Sequence, residues 1–269
     1  MAAPNKAPEA DLTGWTCEPF SAAGFTHDVY YKGSGPGVVL IPEMPGVHRG
    51  VLALGNYLVD NGFTVAIPSL YGTPGMAARS PALVPNLVRG CVAQEFSALA
   101  LNKERPVANY LRALARDLNA KTPGKGVGVI GQCFSGGFAL AAAVDDSVLA
   151  SVLSQPSVPL SLSSRHKRDP GFSEKEMKVI EKRAAEGGVC ALGLRFTGDP
   201  MAPAERFKTL KDRLGDNFEA IELDSSPGNA GGFGRMAHSV LTLEVREAEG
   251  QQAYEARKRV MEFLKERLT

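Results

Sequence analysis

The chain has 269 residues, 44% of them hydrophobic and 22% charged, an ordinary composition for a globular protein with a substantial core. Thirty basic residues almost balance 29 acidic ones, for a net charge of +1, and no aromatic-rich basic stripe argues for a nucleic-acid partner. No apolar run reaches the ~18 residues of a membrane span.

Residues 1–12 have no apolar core of the kind a secretory signal carries and are expected to form a loose leader ahead of a single domain over 13–269. Trp15–Phe20 and Phe25–Lys32 read as a strand pair joined by Ser-Ala-Ala-Gly. Gly37–Ile41 is an almost continuous apolar run, as expected of a strand covered on both faces. A helix over Arg49–Asn61 is stopped by Gly62, and Phe63–Pro68 is the next buried strand. Tyr71–Gly90 is a Pro/Gly-rich loop, followed by a long helical pattern over Val92–Leu118 that Pro106 interrupts. From there the alternation is regular. Strands are expected at Gly126–Ile130, Ala150–Ser154, Cys190–Phe196 and Phe218–Leu223, and helices at Phe138–Val144, Ser173–Glu186, Ala202–Leu214 and Gln251–Arg267. Strand–helix alternation of this kind implies a mainly parallel sheet with helices on both faces. Ligands and catalytic groups in such sheets collect beyond the carboxyl ends of the strands.

Directly after the strand Gly126–Ile130 comes Gly131-Gln-Cys133-Phe-Ser135-Gly-Gly137, and then an alanine-rich helix. A tight strand-to-helix turn needs small residues on both sides of its apex, where the two backbones nearly touch. The apex side chain then stands above the sheet at a helix N-terminus, which favours a thiolate, and the Phe134 N–H points to where an oxyanion would form. Cys133 is therefore the candidate nucleophile, with a buried structural cysteine as the alternative. Cys17, Cys91 and Cys190 lack this context. The four cysteines form no CxxC pair, so neither a zinc site nor a disulfide framework is expected, and a reducing cytoplasm fits best.

The Gly-x-Cys-x-small-Gly-Gly turn after a buried strand resembles the nucleophile elbow of the dienelactone hydrolase family, a cysteine branch of the α/β-hydrolase fold. The resemblance extends over most of the chain. Ile41-Pro-Glu43-Met44-Pro-Gly-Val47 is similar to that family's Glu-bearing loop, Thr197-Gly-Asp199 to its Asp loop and Ala237-His238-Ser239 to its His loop. Ser135 departs from the family pattern, which usually has Gly there; modest crowding of the turn is expected.

A thiol attacking an ester needs a base and that base needs an orienting group. Of the four histidines, His27 lies in an N-terminal strand, His48 follows the Glu43 loop and could touch the pocket, and His166 sits in the basic run Arg165–Arg168. His238 follows the last strand and a Gly-rich loop, where a hydrolase of this fold carries its histidine. Asp199, after the strand Cys190–Phe196, gives the order Cys133, Asp199, His238, which is the nucleophile–acid–base order of the fold. Asp199 also reads as a helix N-cap ahead of Ala202–Leu214, and Asp224 is a weaker candidate for the orienter. The resemblance implies that Glu43 hydrogen-bonds the resting thiol and switches the nucleophile on when substrate binds. It likewise implies that the Met44 N–H is the second oxyanion donor, beside Phe134.

The expected activity is hydrolysis of a small ester or lactone through a Cys133 thioester. A broader carboxylesterase or thioesterase is one alternative, and a redox-active or covalent ligand-binding thiol on a non-catalytic scaffold is another. The resemblance also implies arginines that hold a substrate carboxylate, one of them shortly after the catalytic His. Here Thr242 stands four residues past His238, and the next arginine is Arg246. Tyr71, Arg79 and Arg89 are candidates to face the pocket. No metal or nucleotide cofactor is expected: no His/Asp/Glu group has ligand spacing, and the glycines of Gly124–Gly128 precede a strand rather than open a helix. A monomer or homodimer acting on a small molecule, without nucleic acid or membrane, completes the expectation.

Overall fold

A computed structural model of the protein describes residues 6–78, 96 and 98–269. Its frame is an eight-stranded sheet: β1 (Thr16–Ala22), β2 (Phe25–Lys32), β3 (Gly37–Ile41), β4 (Thr64–Pro68), β5 (Val127–Gln132), β6 (Val148–Ser154), β7 (Cys190–Phe196) and β8 (Phe218–Leu223). The strands lie in the order β1-β2-β4-β3-β5-β6-β7-β8. β1 and β2 run antiparallel to their neighbours, while β3 to β8 are mutually parallel. This is the mainly parallel sheet of an α/β-hydrolase fold.

The helices are α1 (Arg49–Asp60), α2 (Pro106–Lys121), α3 (Gly136–Ala142), α4 (Ser164–Arg168), α5 (Glu174–Ala185), α6 (Ala204–Leu214) and α7 (Gln252–Leu268). Because successive strand residues point to opposite faces, one strand feeds two cores. Val39 and Ile41 of β3 and Val127 and Val129 of β5 belong to one core together with side chains of α2, α3, α5 and α6. Val38, Leu40 and Ile130 face α1 and α7. Every residue of β3 and β5 is buried, which is why Gly37–Ile41 reads as an almost continuous apolar run.

The differences from the sequence reading have local causes. β1 runs to Ala22 because the turn needs only two residues, Ala23 at φ 52° and Gly24 at φ 83°, the paired left-handed conformation of a tight hairpin. No helix runs through the described residues 98–105. α2 begins at Pro106, whose missing N–H is harmless in a first turn but would break a helix interior. The short α4 in the basic run was not foreseen; Ser163 caps it by accepting from the His166 N–H. Residues 6–12 form neither helix nor strand, yet the Ala10 N–H bonds the Arg49 carbonyl at 3.0 Å, and Ala10 and Leu12 lie against the second core. Among the described residues no helix is long and apolar enough to cross a membrane.

One buried side chain fixes the long connection between β6 and α5. Arg206 of α6 is fully buried and donates to the carbonyls of Pro156, Pro159, His166 and Asp169. Burial pulls its pKa down to about 10, with Asp169 partly opposing, so the guanidinium remains charged at neutral pH. Arg206→Met should strand those acceptors and cost about 3 kcal/mol or more, because buried polar groups without partners carry the full desolvation penalty. Equilibrium urea unfolding of the variant beside the wild type measures it.

Candidate active site

The loops after β3, β5, β6, β7 and β8 meet above the carboxyl edge of the sheet. β5 ends at Gln132, a single 3-10 turn covers Cys133–Ser135, and α3 follows at once. Cys133 occupies the left-handed region at φ 51°, a conformation that is strained for a residue with a side chain. Three contacts hold it there. A Cβ on Gly131 would stand 2.4 Å from the Ser135 carbonyl oxygen, and one on Gly136 would stand 2.5 Å from Pro156 Cα, so only glycine permits these approaches. The Ser157 N–H donates to the Cys133 carbonyl at 2.9 Å. Finally, the buried Ser135 hydroxyl accepts from the Gln132 N–H at 3.0 Å and lies 3.0 Å from the Pro42 carbonyl, joining the elbow to the end of β3. Serine at this position thus ties the turn down rather than crowding it. The thiol itself is only partly buried.

His238 and Asp199 stand beside it. His238 Nδ1 lies 2.6 Å from Asp199 Oδ2, a distance typical of a charge-assisted hydrogen bond. Asp199 is buried, and its other oxygen accepts the Met201 N–H at 2.9 Å. It therefore closes a local turn instead of capping α6, whose N-cap is Pro203. With Nδ1–H given to the carboxylate, Nε2 is left free on the far side of the ring, and Cys133 is near enough for its charge to act on it. Burial pushes the ring's pKa down, but the Cys133 charge and the Asp199 hydrogen bond outweigh it and raise it from the usual 6.5 to about 11.

The loop that delivers His238 is well tied. The Phe233 ring packs on Phe196 with centroids 4.8 Å apart, and Asn229 Oδ1 accepts the Phe233 N–H at 2.9 Å. The glycines of this stretch serve an ordered loop rather than a loose one.

Glu43 is buried, at 1% exposure, and its carboxylate has four side-chain donors. His48 Nε2 lies 3.3 Å from Oε1, which also accepts from Thr242 Oγ1; Oε2 accepts from Gln155 Nε2 at 3.2 Å and from Ser239 Oγ at 2.8 Å. His48 Nδ1 accepts the Gly50 N–H at 3.1 Å at the start of α1. That fixes the tautomer with the proton on Nε2, directed at Glu43. Burial disfavours the charged carboxylate, but His48, Thr242 and Ser239 more than compensate, and the pKa of Glu43 falls below its usual value. Among the described residues, no hydrogen bond joins Glu43 to Cys133.

The remaining candidates divide. Met44 and Phe134 flank the thiol's loop and turn, and both side chains are buried. Tyr71 is half-buried; its hydroxyl donates to the Pro42 carbonyl and its ring meets Phe96 and Phe134 edge-on at 5.8 and 5.9 Å. Arg79 and Arg89 lie outside the described residues. No group of three or more His, Cys, Asp or Glu among the described residues is placed to hold a metal ion.

Two contributors went unnoticed in the sequence. Ser157 Oγ lies 3.8 Å from Cys133 Sγ and 3.5 Å from His238 Nε2, between the two groups. Gln155 takes a left-handed φ of 36°, and its amide reaches both Glu43 and the Val240 N–H. Both follow β6, a strand end that carries none of the acid, base or thiol side chains by which the others stand out.

The model of the dienelactone hydrolase family matches residues 26–268. The chain belongs to the dienelactone hydrolase family. Solved structures agree on the fold. A dienelactone hydrolase from Anabaena variabilis superposes with TM-score 0.60 at 13% identity, covering 95% of this chain and 98% of its own. A dienelactone-hydrolase-like promiscuous phosphotriesterase from metagenomic libraries gives 0.65 at 15%, covering 95% and 98%. A bromoperoxidase from Bacillus anthracis gives 0.54 at 13%, covering 93% and 100%. No curated protein matches this sequence. The dienelactone hydrolase family supplies the hydrolase class, and at these identities the structures supply the fold alone.

The raised pKa of His238 has a testable sign. A group whose pKa rises on folding contributes stability that is complete below about 6.5 and fades as pH climbs through about 11. An NMR titration of the His238 ring should find it protonated well above pH 7. In Cys133→Ala the midpoint should fall, since the thiolate's contribution is gone.

Proposed function

We propose that the protein hydrolyses a small ester or lactone through a thioester on Cys133. The observation that carries this reading is the meeting of Asp199, His238 and Cys133, with His238 Nδ1 2.6 Å from the carboxylate and the Ser157 hydroxyl 3.5 Å from Nε2 and 3.8 Å from the Cys133 sulfur. A non-catalytic thiol would need neither partner.

The steps follow from that geometry. His238 takes the Cys133 proton, and the thiolate so formed attacks the carbonyl carbon. Electrons of the carbonyl bond move to oxygen, and the oxyanion is received by the N–H groups of Phe134 and Met44. As the intermediate collapses the bond to the alcohol oxygen breaks, and His238 gives its proton to that oxygen. The resulting thioester carries no charge at sulfur. The proton affinity of His238 therefore drops when the enzyme is acylated, which makes the ring a base when a base is needed. It takes a proton from water, hydroxide attacks the thioester, the carbon–sulfur bond breaks, and the thiolate–imidazolium pair is restored. Asp199 holds the ring and stabilises its charged form throughout.

Cys133→Ala should abolish hydrolysis of p-nitrophenyl acetate while leaving the melting transition and circular dichroism intact. Loss of a single oxyanion donor typically costs about 3 kcal/mol, so complete loss distinguishes a missing nucleophile from a weakened site. Full turnover by the Cys133→Ala protein would defeat the thioester mechanism.

A further inference from the structure

We infer that Glu43 is a positioning residue for His238, held in place as an anchor for the histidine loop rather than released to the thiol. The inference rests on the ester-hydrolase reading above, since it assigns a task within that site.

The argument is one of hydrogen-bond capacity. A carboxylate offers two oxygens with about four lone-pair directions. In Glu43 these meet His48 Nε2, Thr242 Oγ1, Gln155 Nε2 and Ser239 Oγ, two donors on each oxygen. A swing toward Cys133 would leave four donors without an acceptor, in a place shut off from water. The donors also come from separate parts of the chain: the start of α1, the end of β6 and the segment 239–242.

That last segment gives the anchor its purpose. Ser239 follows His238 directly, and Thr242 is a turn further on. Gln155 adds a third tie, because its Oε1 accepts the Val240 N–H at 3.3 Å while its amide nitrogen bonds Glu43. Asp199 grips the His238 ring from one side. Glu43 grips the segment that follows it, through the Ser239 and Thr242 hydroxyls. Both are needed to bring Nε2 to the thiol, since a ring fixed at Nδ1 alone can still pivot about that bond. The same β6 segment supports the nucleophile, because the Ser157 N–H bonds the Cys133 carbonyl at 2.9 Å. The base and the elbow thus share one brace.

Thr242→Val and Glu43→Gln test this, with turnover of p-nitrophenyl acetate and iodoacetamide alkylation of Cys133 against pH, the peptide being identified by mass spectrometry. Each variant should lower kcat by about 10- to 100-fold with KM changed less than about threefold, the usual consequence of a misplaced catalytic group. Alkylation of Cys133 should slow, because the ring no longer stands where it can take the thiol's proton. Thr242→Ser keeps the hydroxyl and should retain both properties. The double variant should be scarcely worse than the poorer single one, because both act through one network. Wild-type kcat and alkylation in Thr242→Val would overturn the inference, as would an additive double variant or a defect confined to Glu43→Gln. If Glu43→Gln fails to fold, the Thr242 pair decides alone. If the wild type hydrolyses no ester, the functional reading fails, and the alkylation profiles still decide the positioning role.

Discussion

The close meeting of β5 and α3 at Cys133 is the constraint on which the site depends. The left-handed backbone at Cys133 costs of order 1–3 kcal/mol and persists only because its surroundings over-determine it. Gly131 and Gly136 let the chain approach itself, the Ser135 hydroxyl ties the turn to β3, and the Ser157 N–H ties it to the segment after β6. The thiol is consequently presented from the centre of a parallel sheet, flanked by β3 and β6, whose carboxyl ends supply its neighbours. An apex held this firmly can be approached by a base on a long loop, provided that loop is also fixed.

That requirement explains why so many polar side chains are buried here. Glu43, His48, Gln155 and Ser239 are nearly or fully buried, as is Asp199. In a hydrophobic interior such groups are unfavourable unless every one finds partners. They do, and the partners come from three connections, those after β3, β6 and β8, so the network works as a set of cross-links among loops that the sheet alone would leave independent. Arg206 performs the same task for the connection after β6, using backbone carbonyls.

Much of this was legible in the sequence. The parallel sheet followed from apolar runs alternating with helical periods, and four strands, at 25–32, 37–41, 190–196 and 218–223, have the expected bounds. The elbow was legible because glycines around a cysteine between strand and helix have few other uses. The pairing of Asp199 with His238 was legible because both follow later strands of the sheet and their side chains are of types that bond each other. Ser157 and Gln155 were not. Their side chains are neutral, and what marks them is a left-handed backbone and a distance across the fold, neither of which sequence spacing encodes. The partners of Glu43 were hidden for a related reason: His48, Ser239 and Thr242 are far apart or unremarkable in type, and only the packed loops bring them to one carboxylate. The helix reading through 98–105 failed because periodicity alone cannot place a start, whereas Pro106 can.

Thr242 bears on the substrate as well. The family resemblance implies an arginine shortly after the histidine to hold a substrate carboxylate, but residue 242 is a threonine whose hydroxyl is committed to Glu43. Arg246 does not replace it, since its guanidinium donates to the Leu243 and Val245 carbonyls of its own loop at 2.9 Å each. Glu43 is met by donors buried from water, and an interaction of that kind is little affected by salt. On the proposed hydrolase reading, binding at this wall of the site then depends on shape and on the carbonyl's own hydrogen bonds, and an uncharged ester or lactone satisfies it without leaving a carboxylate unpaired there.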